Sequence, residues 1–337
     1  MCRLEERVHR TGPFLVSLEL DSAFPESDRM NAAQVLTMPL PGADRAVKPL
    51  FANTLEYRAL FAESFDGTPF QFQHHLHQHP AFQLRALLAA AERLSASKHN
   101  KSHYESGEPD RNAWFGARPE GTTLIQALES IQSGKNWVIL KRIHEDAVYR
   151  DVLMRIIPEL SSLAGVDIAK VYYDPTMTIF VTSPGRITPY HMDGETNFLA
   201  QIHGEKLVYL YDGNDPSVLS QQDMEKYWTG KLPKINYPES MPHGKWQYTL
   251  APGNGVFNPA CFPHWLQNGN GVSVSVSINF KRRHNETIGA HRMNRYLRKL
   301  GLNPTAPGRS LMLDQAKEAT FGRLYAAAEM VRSRLKK

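Results

Sequence analysis

The sequence predicts an antiparallel β barrel or sandwich set between helical segments. Three observations carry that reading. The stretch "GVSVSVSINF" alternates Val272, Val274, Val276, Ile278 and Phe280 with serines, the period-two pattern of a strand. Short strand-like runs crowd residues 168–281 and are separated by Gly and Pro turn signals. Apolar residues return to helical spacing on both sides of that stretch, so the strands are bracketed by helices.

The elements follow in order. Residues 1–50 carry Pro13, Pro25, Pro39, Pro41 and Pro49 and read as extended and irregular. In "PAFQLRALLAAAERLSAS", Leu84, Leu87, Leu88, Ala91 and Leu94 share one helical face, and Pro80 suits a first turn. "TTLIQALESIQSG" places Leu124, Leu128 and Ile131 on a stripe that stops at Gly134. "NWVILK" reads as a short strand, and "AVYRDVLMRIIPELSSLAG" as a helix with a kink expected at Pro158. "TMTIFVT" alternates Met177, Ile179 and Val181 before a turn at Pro184-Gly185. "NFLAQI" and "KLVYLYD" flank His203-Gly204-Glu205, which predicts a hairpin. Helical spacing resumes over 287–300 and 311–335. Three regions result: a mixed helical and irregular part over 1–165, a β core over 166–283 and a helical part over 284–337.

The composition is that of a globular protein, with 42% hydrophobic and 22% charged residues among 337. No run approaches the ~18 uncharged apolar residues of a membrane span, and "MCRLEERVHR" lacks the apolar centre of a signal peptide. Two cysteines, Cys2 and Cys261, exclude a disulfide framework and a Cys-rich zinc site. A cytoplasmic protein with no membrane contact is the expectation. The net charge of +5 is uneven, because residues 281–337 hold fourteen Lys and Arg against four Asp and Glu. A solvated helical face accounts for that excess better than nucleic acid, the less favoured partner.

"ITPYHMDGETNFLAQIHGEKLVYLYD" sets an imidazole, a carboxylate and an ammonium among apolar neighbours. His191 and Asp193 stand two apart and share one face of a strand. A third ligand is needed to hold an ion, and "NPACFPHWLQNGNG" offers His264. Two histidines and a carboxylate make the facial triad of non-haem Fe(II) oxygenases, which leaves positions open for a cosubstrate and dioxygen. Lys206 begins a strand-like run, where an unpaired lysine is costly, so a buried carboxylate is its expected partner. No basic residue lies between His264 and Lys281 to compete for that role.

"TPYHMDGETNFLAQIHGEKLVYLYD" followed by "PGNGVFNPACFPHWLQNGNGVSVSVSINF" resembles the JmjC (cupin-like) Fe(II)/2-oxoglutarate oxygenases, and is similar to their asparaginyl-hydroxylase branch that acts on hypoxia-inducible factor. The likeness covers roughly 170–281, about a third of the chain. It implies a double-stranded β-helix (jelly roll) flanked by helices, with Fe(II), 2-oxoglutarate and O2 as the reacting set. It places the metal on His191, Asp193 and His264. It places the 2-oxoglutarate carboxylate on Thr188 and Lys206, with Asn197 and Asn279 beside metal and cosubstrate. It further implies a homodimer through the C-terminal helices, where Leu313, Ala316, Phe321, Leu324, Ala328, Val331 and Leu335 form a stripe. Packing of that stripe on the chain's own core is the alternative. A cosubstrate-binding tyrosine of that branch has no counterpart in "NWVILK", which offers Trp137 and Lys141, and Tyr172, Tyr173 and Tyr209 stay open.

The implied activity is hydroxylation of a peptide or protein side chain or of a small molecule, releasing succinate and CO2; N-demethylation is the same chemistry on an N-methyl carbon. A non-oxygenase metal cupin of the sugar isomerase or epimerase type is one alternative, and an inactive cupin-fold binding protein another. Two further segments carry unusual residues. "HHLHQH" groups His74, His75, His77 and His79 without a carboxylate or thiol, so a polar surface loop is favoured over a second metal site. The insert "TGKLPKINYPESMPHGKWQY", just before the strand that leads to His264, is a candidate for the substrate entrance.

Overall fold

The computed structural model describes residues 48–96, 101–107, 121–230, 235–283 and 286–323. The chain divides after Arg45, and all of the described residues belong to the unit Ala46–Lys337. The proline-rich stretch read as irregular lies, up to residue 47, outside the described residues.

The helices ahead of the β core begin where side chains can satisfy their first amides. Helix α1 (Leu55–Ser64) starts at Thr54, which accepts from the Tyr57 amide. Strand β1 (Phe70–Gln73) follows, then α2 (Leu84–Ser95) and strand β2 (His103–Ser106). Pro80 opens a separate 3-10 turn before α2 instead of the helix itself. Helix α3 (Leu124–Glu129) carries a reciprocal capping box between Thr123 and Gln126, and β3 (Asn136–Leu140) is buried throughout. Helix α4 (Ala147–Ala164) is capped by Asp146, stops at Gly165 in the left-handed region (φ 66°) and runs through Pro158 as one element. A short turn of helix, α5 (Ile168–Val171), leads into the core.

Eight strands form that core: β4 (Tyr172–Thr182), β5 (Ile187–His191), β6 (Thr196–His203), β7 (Lys206–Leu210), β8 (Trp246–Leu250), β9 (Asn254–Asn258), β10 (His264–Asn268) and β11 (Ser273–Arg282). They build two antiparallel sheets, β1-β9-β6-β11-β4-β3-β2 and β5-β10-β7-β8. From β4 to β11 the chain changes sheet at every step except β7 to β8, which is jelly-roll connectivity. The fold class is therefore mainly β with flanking helices, a double-stranded β-helix. The earlier strands β1, β2 and β3 extend the larger sheet at its two edges.

The hairpin expected between β6 and β7 is not formed. His203-Gly204-Glu205 does not close a hairpin, because β6 and β7 belong to different sheets. Gly204 (φ 69°) turns the chain so tightly that a Cβ there would meet the Val272 carbonyl oxygen at 2.2 Å. A short Gly turn reads the same in sequence whether the chain returns beside itself or crosses to the facing sheet.

Register explains why β11 alternates valine and serine while both faces are buried. Ser277 pairs with Leu199 of β6, and Leu199 packs against Val208, Leu210, Leu250, Val256 and Leu266 between the sheets. Ser273, Ser275 and Ser277 thus face the space between the sheets, and all three are buried. Val274, Val276 and Ile278 face the other way. On that outer side of the larger sheet Phe61 of α1 and Phe65 stack on Phe198, and Phe70 on Phe257.

The helical end comprises α6 (Gln221–Trp228), between β7 and β8, then α7 (Glu286–Lys299) and α8 (Leu311–Lys317), which passes into a π turn at Glu318–Gly322. The Arg298 guanidinium donates to both carboxylate oxygens of buried Glu225 at 2.9 and 3.1 Å, tying α7 to α6. In the C-terminal stripe Leu313 and Ala316 are exposed, whereas Phe321 packs on Tyr296 with ring centroids 4.9 Å apart. Leu324, Ala328, Val331 and Leu335 lie outside the described residues.

The histidine tract is only partly the polar surface loop expected: His75 is exposed, but His74 is buried and structural. Buried His74 accepts from the Leu76 amide through Nδ1, and its Nε2 lies 3.1 Å from the Asn254 carbonyl oxygen. His79 accepts from the Ala81 amide. Burial pulls the His74 imidazole down from 6.5 to about 3, and that of His291, buried in α7, to about 4. Both are neutral when folded and take up protons when unfolded, so their stabilisation is complete above 6.5 and is lost progressively as pH falls from 6.5 to their folded values. At pH 5 each loss is on the order of 1–2 kcal/mol. The urea midpoint of metal-free protein should fall from pH 7 to pH 5, and by less in His74→Gln. An unchanged wild-type midpoint would contradict this.

Candidate metal centre

His191 ends β5 and His264 begins β10, and the two are direct cross-strand partners. The register slips between His264 and Leu266, a bulge that lets both rings turn toward one point. Their centroids are 4.1 Å apart with the planes tilted by 50°. Asp193, two residues past β5, brings Oδ2 to 3.8 Å from His191 Nε2 and 3.9 Å from His264 Nε2. One ligand atom from each residue lies within 4.8 Å of the others, and this is the one such group of three among the described residues.

Each ring is oriented from behind. His191 Nδ1 lies 2.7 Å from the Pro189 carbonyl oxygen, and His264 Nδ1 lies 3.0 Å from that of Phe262. A carbonyl can only accept, so each favours the tautomer with the proton on Nδ1 and the Nε2 lone pair toward Asp193. Burial, with the nearby His191 ring adding to it, pulls His264 down to about 4, so it is a neutral ligand at physiological pH. The Cys261 amide donates to the Asp193 carbonyl oxygen at 2.7 Å and anchors the third ligand. Such a donor set, two neutral imidazoles and a carboxylate on one side of an ion, fits Fe(II) with positions left open.

Behind the three ligands the space between the sheets is divided. Leu199, Val208, Leu210, Leu250, Val256 and Leu266 form an apolar half. Thr178, Thr182, Ser273, Ser275 and Ser277 form a polar half on β4 and β11. Lys206 opens β7 on the same inward face as Val208 and Leu210, and is 3% exposed. It lies four residues from Leu210, the cross-strand partner of His264, or about 13 Å along the strand at ~3.3 Å per residue. Burial alone pulls its ammonium from 10.5 to about 7, with no carboxylate among the described residues acting on it. A lysine side chain and a short linear dicarboxylate together fill that span. Thr188 faces inward from β5 in the row between the metal ligands and Lys206, opposite Leu266.

Asn197 and Asn279 are direct cross-strand partners on β6 and β11. The Asn197 amide donates to Ser277 Oγ at 2.5 Å and to Asn279 Oδ1. The three open tyrosines do not reach this interior. Tyr172 packs outward on Phe65 and Phe280, and Tyr209 stacks on Trp265 at 4.0 Å outside the smaller sheet. Tyr173 stands at the rim of a cavity on the Asp193 side of the ligands.

That cavity, of about 480 Å³, opens on Asp193. Its walls are Tyr227 and Trp228 of α6, Ile288 and Arg292 of α7, and Lys281 and Arg282 at the end of β11. Gly194 lets the two aromatic tips approach the chain, since a Cβ would meet Trp228 Cη2 at 2.8 Å and Tyr227 Oη at 3.0 Å. Glu195 is half-buried in the same wall, 3.7 Å from Lys281, and burial raises its pKa. Of the insert expected at the entrance, Ile235, Tyr237 and Met241 pack with Tyr190, Tyr209, Tyr211 and Trp265 outside the smaller sheet, while its first residue, Thr229, directly follows Trp228 of the cavity wall and residues 231–234 lie outside the described residues. Sequence reasoning missed α6 as the cavity wall, although the Tyr227-Trp228 pair was its visible signal. It also missed Asn258, whose amide lies 3.1 Å from His264 Nδ1.

No family model matches the chain. It is 29% identical over 151 residues to tRNA wybutosine-synthesizing protein 5 of Danio rerio, covering 42% of this chain and 41% of that protein. It is 28% identical over 116 residues to Lysine-specific demethylase 8 of Xenopus tropicalis, covering 31% of this chain and 24% of that protein. The matched segments thus span less than half the length of either relative. Among solved structures, Escherichia coli YcfD superposes with a TM-score of 0.47 at 15% identity, over 81% of this chain and 68% of that chain. The YcfD ribosomal oxygenase in complex with cobalt and 2-oxoglutarate gives 0.45 at 15% identity, over 77% and 61%.

His191→Ala, Asp193→Ala and His264→Ala should each weaken binding of Co(II), used as a spectroscopic probe, by at least a hundredfold. Two remaining ligands do not hold the ion. Full Co(II) affinity in all three variants would remove the assignment.

Proposed function

We propose that the chain is an Fe(II)- and 2-oxoglutarate-dependent oxygenase of JmjC type, a hydroxylase of a peptide or protein side chain or a small molecule. The observation that carries this reading is Lys206, a buried ammonium with no carboxylate among the described residues acting on it, on the inward face of the strand that runs to the three-ligand site. His191, Asp193 and His264 would hold Fe(II), which when bound supplies the dioxygen activation that couples 2-oxoglutarate decarboxylation to succinate and CO2 with substrate oxidation. Lys206 pairs with the far carboxylate of 2-oxoglutarate, and Thr188 adds a hydroxyl donor. The Asn197–Asn279 pair holds the polar wall alongside. The partly identical relatives carry names that point to tRNA modification and to lysine demethylation, so they leave the substrate class open.

The substrate enters the cavity on Asp193, whose volume falls within the ~300–1,000 Å³ usual for small-ligand sites. There Trp228 and Tyr227 offer flat aromatic faces against Gly194, one residue from Asp193. A metal cupin of the isomerase type has no use for a buried ammonium at Lys206, and an inactive binding protein none for three converging ligands.

Under air with Fe(II), the protein should convert 2-oxoglutarate to succinate, with slow uncoupled turnover even when no substrate is present. Lys206→Ala should weaken 2-oxoglutarate binding by two to four decades, since breaking a buried charge pair costs ~3–5 kcal/mol at about 1.4 kcal/mol per decade. The wild-type affinity should fall as pH rises above about 7, where the free ammonium loses its proton, by up to about tenfold per unit. Calorimetric titrations of the Co(II) protein at pH 6.5, 7.5 and 8.5 check both. A pH-independent affinity, or a Lys206→Ala affinity within threefold of wild type, would place the anion elsewhere.

A further inference from the structure

We infer that Asn258 is a positioning residue that fixes the tautomer of His264 through its amide oxygen, and so keeps Nε2 available to a metal. The inference rests on the metal-site reading and extends it to a residue outside the three ligands.

Asn258 closes β9 and is 4% exposed. It is the direct cross-strand partner of Asn197, which in turn is paired with Asn279. Three asparagines therefore form one row across β9, β6 and β11 on the inward face, behind the ligands. Of the three, Asn258 is the one that reaches a ligand. Its Nδ2 lies 3.1 Å from His264 Nδ1, and its Oδ1 is buried without a partner among the described residues.

That arrangement conflicts with the other contact of the same ring nitrogen. Nδ1 lies 3.0 Å from the Phe262 carbonyl oxygen, which can only accept. If Nδ1 carries the proton, an amide NH2 at 3.1 Å faces it donor to donor. If Nδ1 lacks the proton, the Phe262 oxygen faces a lone pair, and the proton on Nε2 points at Asp193 and blocks the ligand position. A half-turn of the amide removes both conflicts. Oδ1 and Nδ2 exchange places, and Nδ1–H is shared between two acceptors, Phe262 O and Asn258 Oδ1. The buried acceptor that lacked a partner then gains one, and Nδ2 moves to the place Oδ1 occupied. Two acceptors behind one ring select the Nδ1–H tautomer more firmly than a carbonyl alone, and outer contacts of this kind change metal affinity by roughly 10–100-fold.

The conservative variants separate this role from a purely structural one. Asn258→Asp places an acceptor in either orientation and should keep Co(II) affinity within threefold of wild type or raise it. Asn258→Leu, close in volume, should lose about tenfold or more. The tautomer is read directly in metal-free protein by 15N chemical shifts of labelled histidine. His264 should show a pyrrole-like Nδ1 and a pyridine-like Nε2 in wild type and in Asn258→Asp, and a mixture in Asn258→Leu. If Asn258→Leu fails to fold, Asn258→Asp alone decides. Loss of affinity in Asn258→Asp, or a protonated Nε2 in wild type, would show that Asn258 donates and overturn the inference; so would full affinity and an unmixed tautomer in Asn258→Leu. The tautomer measurement needs neither metal nor 2-oxoglutarate, so it stands or falls separately from the oxygenase reading.

Discussion

An ammonium buried between two sheets, with no counter-charge among the described residues, is the constraint around which the interior is arranged. A chain that sets Lys206 at 3% exposure forgoes the hydration of a charge, and burial brings its pKa to about 7. An apolar jelly-roll core would not tolerate that. This one lines the β4 and β11 side with threonine and serine hydroxyls and keeps its leucines and valines on the β7, β8 and β9 side. The lysine lies at the border of the two. The interior therefore reads as a binding space for an anion, with the ligand site at its other end.

The same constraint accounts for the outer layers. A larger sheet whose inner face is half polar cannot draw its stability from the space between the sheets alone. Its apolar surface is on the outside, where Val274, Val276, Ile278, Phe198 and Phe257 are buried. Phe61 and Phe65 from the region before the β core cover part of that surface. The flanking helical region is therefore part of the core, although it holds none of the metal ligands.

Much of the site was legible in the sequence because its residues fall close together. His191 and Asp193 are two apart, Lys206 follows thirteen residues after Asp193 at the start of a strand-like run, and His264 precedes the strongest strand signal in the chain. Chemistry at short spacing survives an uncertain topology. What depended on topology was not legible. The Gly204 turn looked like a hairpin, since sequence does not say which sheet receives the next strand. The alternation in β11 set its serines opposite its valines, but nothing local announced that the serine face is a buried polar interior. Asn258 lies on a strand separate from His264's, and its contact arises only when the β9–β10 connection folds back. The cavity wall on α6 comes from packing against α7 through Glu225 and Arg298, a pairing 73 residues apart in sequence.

The proposed function makes His191, Asp193 and His264 at one end of the interior and Lys206 at the other a single functional unit. The most direct test is an anaerobic titration of 2-oxoglutarate into the Fe(II) protein, followed by visible charge-transfer absorption. A single unit predicts a saturable band that requires both Fe(II) and 2-oxoglutarate and is absent when Asp193 or His264 is replaced by Ala. A protein that binds 2-oxoglutarate equally well without metal, or binds Fe(II) and develops no band on adding it, would contradict that union of the two sites.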